Sequence, residues 1–313
     1  MTVLRSLRRD VSTPPGASIR WRWALPFVVV TPMLVLASVV HRTSIIFPEG
    51  AALSFGVFVL AVPGWTISRW KLCVIPPLAA CLGLGLTHLA IQKFWKEILA
   101  ILFVVALLRA VHSLLAPSLS AALIPVVFHI QSWFYPLSVV TVCVTVTIVA
   151  MLLQRTDAGT NPQVVERQQT RKLVMFTVVA VAWVLIVTIA RLPPATLAPP
   201  LFVSAFEAGQ HFPGLQASTY RCILFGITGF IAVLLVQNLH WAPLAGVVSL
   251  GIALGLVALT REFHPPIMAI SLLPLIVGHV VAWKFSLCLM IGAVGLTGLT
   301  FAMARLGAKE KEK

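Results

Sequence analysis

The stretch from residue 134 to residue 153 reads FYPLSVVTVCVTVTIVAMLL and contains no charged side chain. A helix needs about 20 consecutive apolar residues to cross the hydrocarbon core of a bilayer, so this stretch predicts a membrane-spanning helix. The segment that follows, Gln154–Lys172, is polar and basic, and it includes Asp157 and Pro162. Such residues are typical of a solvated connection. The chain is therefore expected to leave the bilayer at this point.

The composition extends this interpretation to the whole chain of 313 residues. Hydrophobic residues make up 59% of it and charged residues only 10%. A soluble domain carries roughly 25% charged residues, so this chain cannot cover a water-facing surface. The composition predicts an all-α polytopic membrane protein whose environment is the lipid bilayer. Because little of the chain is left for a soluble catalytic domain, we do not expect an enzyme.

The net charge of +14 is concentrated at the N-terminus, in the central linker and at the C-terminus. Each of these basic clusters adjoins a long apolar run, which is the pattern produced when Lys and Arg are retained on the cytoplasmic side. We therefore expect a multi-pass protein of the cell (inner) membrane with cytoplasmic N- and C-termini. This distribution does not favour a nucleic-acid partner.

The two halves of the chain share landmarks at an offset of about 150 residues. The matched pairs are Ser54 with Ser204, Pro63-Gly64 with Pro213-Gly214, Ser68 with Ser218, Trp70 with Tyr220 and Lys71 with Arg221. At an offset one residue shorter they are Arg42 with Arg191, Pro117 with Pro266 and Pro125 with Pro274. Chance apolar similarity does not readily align prolines, glycines and basic residues. The pattern predicts two tandem repeats with the same orientation in the membrane.

The predicted organisation has five parts. These are a basic cytoplasmic tail (1–23), a first membrane repeat (24–153), a cytoplasmic linker (154–172), a second membrane repeat (173–304) and a charged cytoplasmic tail (305–313). Each repeat contains six apolar segments, at 24–41, 44–63, 72–91, 97–112, 114–130 and 134–153, and at 173–190, 195–212, 222–240, 242–260, 266–280 and 283–304. The second and fifth segments of each repeat are short or interrupted by Pro and Gly. Four or six crossings per repeat both keep the basic segments on one side.

The densest group of polar residues is Arg261-Glu262-Phe263-His264-Pro265-Pro266, between two apolar segments. Consecutive prolines end the incoming helix and suit the first turn of a new one, whose free N–H groups attract anions. Arg261 and His264 would add positive potential there, with Glu262 as a counter-ion or proton acceptor. An interfacial loop that merely meets lipid headgroups is an equally good interpretation of this junction.

A second candidate lies on the segment that contains Ser204, Glu207 and His211. Glu207 and His211 are spaced i, i+4, so on a helix they share a face and could exchange a proton. No second pair of this kind completes a metal site, and the five cysteines form no CxxC pair, so we expect neither a metal nor a cofactor. A polar residue at a helix end near the membrane interface is the alternative for Glu207.

Four further residues are secondary candidates: Glu49, Arg109, His112 and His279. Arg109 and His112 place basic groups on the junction of the first repeat that corresponds to Arg261–Pro266. His279 lies after Pro274 as His129 lies after Pro125. A lone histidine between apolar helices is more often a hydrogen-bonded packing residue, and that alternative stays open.

The segment from Pro199 to Pro274 resembles the HPP family of integral membrane proteins, which is named for a His-Pro-Pro motif. The motif corresponds to His264-Pro265-Pro266, and the apolar helix before it ends in Val257-Ala-Leu-Thr260-Arg261. The family usually continues the motif with Ala and Gly, whereas Ile267 and Met268 stand here. Some plant relatives are associated with nitrite transport into chloroplasts, so the resemblance implies transport of a small anion.

These observations predict a transporter or channel for a small solute, with a small inorganic anion such as nitrite as the expected substrate. The substrate-binding candidates are Arg261, His264, Pro265, Pro266 and Ser204. The candidates for a proton relay or counter-ion are Glu207, His211 and Glu262. We expect these groups to gather around one hydrated pocket. The alternative is a non-transporting membrane subunit or scaffold that binds a partner complex, and a homo-oligomer is compatible with both.

Overall fold

The computed structural model describes residues 17–62, 65, 69–153, 162–210, 213–278 and 280–309. Within these residues the chain is helical and contains no β-strand. The helices of the first half are α1 (Leu25–Val39), α2 (Glu49–Ser54, continued as a π-helix over Phe55–Leu60), α3 (Arg69–Thr87), α4 (Lys93–Ala110), α5 (Pro117–Phe128) and α6 (Phe134–Leu152). Those of the second half are α7 (Pro162–Ile189), α8 (Pro199–Gln210), α9 (Leu215–Asn238), α10 (Ala242–Thr260), α11 (Pro266–Val277, with a turn at Leu273) and α12 (Ala282–Lys309).

Eight helical stretches in the described part of the chain are long and apolar enough to cross a membrane. They are Trp21–Val39, Thr43–Leu60, Trp70–Thr87, Phe134–Leu152, Arg171–Ile189, Leu215–Asn238, Ala242–Thr260 and Ala282–Arg305. This confirms the prediction of a multi-pass helical membrane protein. The orientation of the termini and the identity of the membrane stay predictions.

The short helices α2, α5, α8 and α11 form the centre of the molecule. Nearly every residue in them is buried, including the proline pairs at the start of α8 and α11. A helix that is apolar on all sides is stable only when it is surrounded by other helices. The longer helices surround them and leave large apolar side chains such as Leu137, Ile148 and Val294 exposed. In a bilayer these exposed side chains would face lipid.

Proline and left-handed residues determine where the central helices begin. Pro117 and Pro266 occupy the first position of α5 and α11, where the missing N–H costs nothing. Upstream of each proline the chain turns through a residue with positive φ, His112 at 48° and Arg261 at 56°. The long apolar helices α4 and α10 therefore end shortly before the short helices start.

Positive φ values recur at matched places in the two halves. His41 and Arg191 have φ of 53° and 51°, and His129 and Gly278 have φ of 55° and 78°. The members of each pair are about 150 residues apart, as are His112 and Arg261. A non-glycine residue with positive φ is uncommon. The two halves therefore agree at these positions in backbone conformation, in addition to the residue types that they share.

The packing between the halves is reciprocal. Helix α4 packs against α7, and α10 packs against α1. In the same way the central helix α5 packs against α8, and α11 packs against α2. The central helices of one half therefore contact those of the other.

Candidate functional site

Three polar side chains meet where the central helix α8 passes the loop between α10 and α11. Ser204 and Glu207 are one turn apart on α8, so they share a face. His264 precedes the two prolines that begin α11, and only 2% of it is exposed. The two prolines fix the start of α11, and the His264 imidazole just before them contacts the middle of α8.

Both ring nitrogens of His264 have a partner. Nε2 lies 2.7 Å from Ser204 Oγ, and Nδ1 lies 3.3 Å from Glu207 Oε2. In one tautomer Nδ1–H donates to the carboxylate while Nε2 accepts from the serine hydroxyl. In the other tautomer Nε2–H donates to the serine, and Nδ1 accepts from a protonated Glu207. The three groups thus form a continuous path for a proton, which we call the Ser204–His264–Glu207 chain.

The surroundings of His264 favour the neutral imidazole. The loop that carries it lies outside the spanning helices, and the ring of Phe225 packs on it with centroids 5.7 Å apart. Burial lowers the pKa of His264 well below its usual range, and the nearby Arg221 lowers it further. A neutral imidazole is both a donor and an acceptor, which the Ser204–His264–Glu207 chain requires.

An ion pair lies beside this chain. Arg221 Nε on α9 is 3.3 Å from Glu262 Oε2, and 20% of each side chain is exposed. Arg221 is also close enough to act electrostatically on Glu207 and His264. Five polar groups from three elements therefore converge at one place: Ser204, Glu207, Arg221, Glu262 and His264.

Arg221 is the member of the site that the sequence interpretation missed. It was matched with Lys71 as a landmark of the two halves and was not considered as a functional residue. A signal was available, because it is the one basic residue of α9. A charge within an apolar segment of a membrane protein usually has a partner or a function.

Glu207 keeps one carboxyl oxygen available. Oε2 faces His264, whereas Oε1 is buried and has no hydrogen-bond partner among the described residues. The side chain as a whole is 22% exposed. A buried acceptor without a donor is costly, so this oxygen is a natural place for a proton or a donor group of a ligand.

The other predicted residues of this junction are placed as follows. Pro265 caps α11 and Pro266 begins it, and both are buried. Arg261 is exposed at the end of α10. The substrate-binding role of these three residues stays a prediction. His211, expected as the proton partner of Glu207, lies outside the described residues.

Of the secondary candidates that the structure describes, Glu49 lies apart from Arg109 and His112. Glu49 is buried at the start of α2, whereas Arg109 and His112 are exposed at the end of α4. The carbonyl oxygen of His112 accepts a hydrogen bond of 3.0 Å from Lys71 Nζ. His279 lies outside the described residues.

Two grooves of the described structure lie away from the polar groups. One, of about 300 Å³, is apolar and runs between α1 and α6. The other, of about 310 Å³, is lined by His41 and Arg42 after α1 together with Ala242 and Leu275 of the second half. Ser204 is only 9% exposed and His264 only 2%. In this conformation the polar groups are therefore largely closed to solvent. A hydrated pocket around Ser204, Glu207 and His264 stays a prediction.

Among the described residues no group of three or more His, Cys, Asp or Glu side chains could hold a metal ion. The Ser204–His264–Glu207 chain offers hydrogen bonding, charge and proton transfer. No protein-family model, curated protein or solved structure matches this chain.

Proposed function

We propose that the protein is a transporter for a small solute, and that the solute binds at the Ser204–His264–Glu207 chain. The observation that carries this proposal is a hydrogen-bonded polar chain at the centre of an otherwise apolar helical bundle. Ionisable side chains buried among the apolar helices of a membrane protein are costly, and they persist mainly along pathways for substrates, ions or protons. Structural stability alone would be served as well by apolar side chains.

A small anion is the solute that this site fits best. Arg221 supplies a fixed positive charge, and the hydroxyl of Ser204 and the imidazole of His264 supply hydrogen-bond donors. Nitrite is the specific anion that the resemblance to the HPP family suggests.

Two tandem repeats, as the sequence predicts, would suit a transport mechanism. The shared landmarks, the matched positive φ values and the reciprocal packing of α4 with α7 and α10 with α1 all fit two repeats related by an axis along the membrane normal. Transporters built this way move one repeat against the other around a site at their interface. The central helices α5 and α8, and α11 and α2, would form that interface, and the Ser204–His264–Glu207 chain lies on α8 and at the start of α11, on the side of the second repeat.

The Arg221–Glu262 pair is suited to closing the site. It joins α9 to the loop before α11, and each side chain is 20% exposed, whereas His264 in the same loop is only 2% exposed. An entering anion would compete with Glu262 for the guanidinium. Loss of this pair would then open the path to His264.

The test is nitrite flux into sealed proteoliposomes that contain the purified protein. The assay is run at pH 8, where little nitrite is present as the membrane-permeant acid. Flux should exceed that of empty liposomes and should fall in Ser204→Ala. Ser54→Ala is the matched control, because the Ser54 hydroxyl donates to the carbonyl of Gly50 on its own helix at 2.7 Å.

Flux no greater than in empty liposomes, for nitrite and for other small inorganic anions, would contradict this function. Stable co-purification with a partner complex under the same conditions would then support the alternative of a membrane subunit.

A further inference from the structure

Glu49 differs from the other acidic side chains within the membrane domain. Glu97 lies 3.9 Å from Lys93, Glu207 lies 3.3 Å from His264, and Glu262 lies 3.3 Å from Arg221. Glu49 is only 1% exposed, and neither of its carboxyl oxygens has a hydrogen bond of good geometry among the described residues. It is therefore a buried acid without a basic partner in the part of the chain that the structure describes.

The helices around Glu49 offer no positive charge. Helix α2 packs against α1, α5, α6 and α11. Of these, α1, α5 and α11 contain no Asp, Glu, His, Lys or Arg. The titratable groups on α6 are Tyr135 and Cys143, and both are buried. The Tyr135 hydroxyl donates to the carbonyl of Ala121 at 3.0 Å.

Two further groups complete the surroundings of Glu49. The Ser120 side chain on α5 faces the carboxyl and is itself buried. Arg22 belongs to the 3-10 helix before α1, which contacts the opposite, π-helical end of α2, where Trp23 packs on Phe55. An isolated carboxylate in apolar surroundings costs many kcal/mol and is avoided by binding a proton. Glu49 is therefore expected to be a neutral acid in this closed conformation.

A groove lies close to Glu49 along the chain. The groove of about 310 Å³ at the end of α1 is lined by Thr43 and Ile46, and Ile46 is three residues before Glu49. Beyond Glu49 the helix changes from α to π over Phe55–Leu60. Single π-helical turns are frequent at functional sites because they leave backbone groups and helix register free to change. Movement of α2 would alter the access of Glu49 to this groove.

We propose that Glu49 is a proton-binding site and that the proton it carries moves together with the solute. The second clause rests on the proposed transport function. The two halves then have different roles. The central helices of the first half bind a proton at Glu49, and those of the second half bind the solute at His264. A proton is favoured over a metal ion because Glu49 belongs to no group of three metal-ligating His, Cys, Asp or Glu side chains among the described residues.

The first experiment tests proton binding without any flux. Dicyclohexylcarbodiimide reacts with protonated carboxyl groups in apolar surroundings, and the adduct is located by peptide mass spectrometry. Glu49 should be modified, more at pH 6 than at pH 9, and Glu97 beside Lys93 should be modified less. In Glu49→Gln the adduct should be absent. An unmodified Glu49, or modification equal at both pH values, would overturn the proposal.

The second experiment tests coupling. Wild-type proteoliposomes with an inward proton gradient should accumulate nitrite above its outside concentration. Glu49→Gln, which resembles the protonated acid in shape, should lose this accumulation and retain exchange of labelled for unlabelled nitrite. Glu97→Gln is the matched control and should still accumulate nitrite.

The outcomes separate the two proposals. If Glu49 is modified as expected but the wild type moves no anion, proton binding stands and the transport function fails. If Glu49→Gln accumulates nitrite as the wild type does, the coupling role is wrong. Loss of exchange as well as accumulation in a folded Glu49→Gln protein would also contradict it, because a proton site distinct from the solute site should leave exchange intact.

Discussion

The central helices of the two halves begin and turn alike but differ in what they enclose. In the second half His264 bonds Ser204 and Glu207. The corresponding positions of the first half, by the offset of the two halves, are Leu115, Ser54 and Val57, and all three are buried. The same arrangement of short helices therefore forms in the first half without a histidine or a glutamate at these positions. The polar groups of the second half are not needed to build it, which is why we assign them to function.

A second difference concerns how closely the helices approach. In the first half α3 contacts the backbone of α5, and a Cβ at Gly83 would lie 2.1 Å from the carbonyl oxygen of Ala122. At the corresponding position the second half has Val233. There the glycines of α9, Gly226 and Gly229, instead face the side chains of Met290 and Leu289 on α12. The close contact of Gly83 thus involves the backbone of a central helix, whereas the contacts of Gly226 and Gly229 involve side chains of α12.

The first difference, in the polar groups, is tested most sharply by replacing His264 with leucine, the residue at the corresponding position of the first half. His264→Leu should reduce nitrite flux about 10-fold or more, because hydrogen bonds to charged or ligand groups contribute about 1.5–3 kcal/mol each. The protein should still fold, since Leu115 occupies the same place in the first half. Flux is measured in proteoliposomes and folding by gel filtration in detergent. His240→Gln, at an exposed loop position, is the control, and wild-type flux in His264→Leu would refute the site.

The second difference predicts an effect on stability. Gly83→Ala should lower the free energy of unfolding by about 3 kcal/mol, because the new methyl group meets backbone that cannot move aside. Gly85→Ala, two residues away on the same helix, has nothing within 4 Å of its Cβ. It should leave stability unchanged or slightly raised. Thermal unfolding in detergent compares the two, and equal melting temperatures would show that α3 and α5 are not in backbone contact.

The buried imidazole predicts a pH dependence of stability. The pKa of His264 is lowered in the folded protein, so the unfolded chain binds more protons than the folded chain as the pH falls below about 6.5. Stability should therefore fall with acidification by up to about 1.4 kcal/mol per pH unit. The wild type should lose more stability than His264→Gln between pH 7.5 and pH 5.5. Parallel losses in both proteins would mean that His264 takes up its proton in the folded state.

The smallest expected effect concerns the ion pair. Arg221→Gln and Glu262→Gln should each lower stability by about 1 kcal/mol, since the pair is partly exposed. The double variant should cost less than the sum of the two, which a double-mutant cycle measures. Lys71→Gln is the comparison at the first-half position that corresponds to Arg221, where the ammonium group donates to the His112 carbonyl and lies 5.9 Å from the centre of the Trp70 ring. Strict additivity would indicate that the Arg221–Glu262 contact contributes nothing.

The helices were predictable because apolar length and proline position determine them directly. The predicted segments 134–153 and 242–260 correspond to Phe134–Leu152 and Ala242–Thr260. The first-half segment expected at 97–112 begins earlier, at Lys93, and carries enough charge to fall outside the eight candidate spans. The continuation of α2 as a π-helix had no signal in the sequence.

The sequence indicates which residues belong to the site more readily than which of them contact each other. Ser204, Glu207, Glu262 and His264 were recognised from the breaks in the apolar runs. Periodicity suggested that Glu207 pairs with His211, four residues away, because local spacing is the information that a single helix provides. The contact of Glu207 with His264 instead joins residues far apart in the chain, and it depends on how α8 packs against the start of α11.

The most direct test of the central claim is the water accessibility of the second-half site compared with its first-half counterpart. The five native cysteines, none of them in a disulfide, are first replaced, and single cysteines are introduced as Ser204→Cys and Ser54→Cys. A small charged thiol reagent applied to proteoliposomes should modify the cysteine at position 204 but not the one at position 54, and nitrite should slow the reaction. Equal protection of both positions from the reagent, or a rate at position 204 that nitrite does not change, would contradict a solute pathway through the second half.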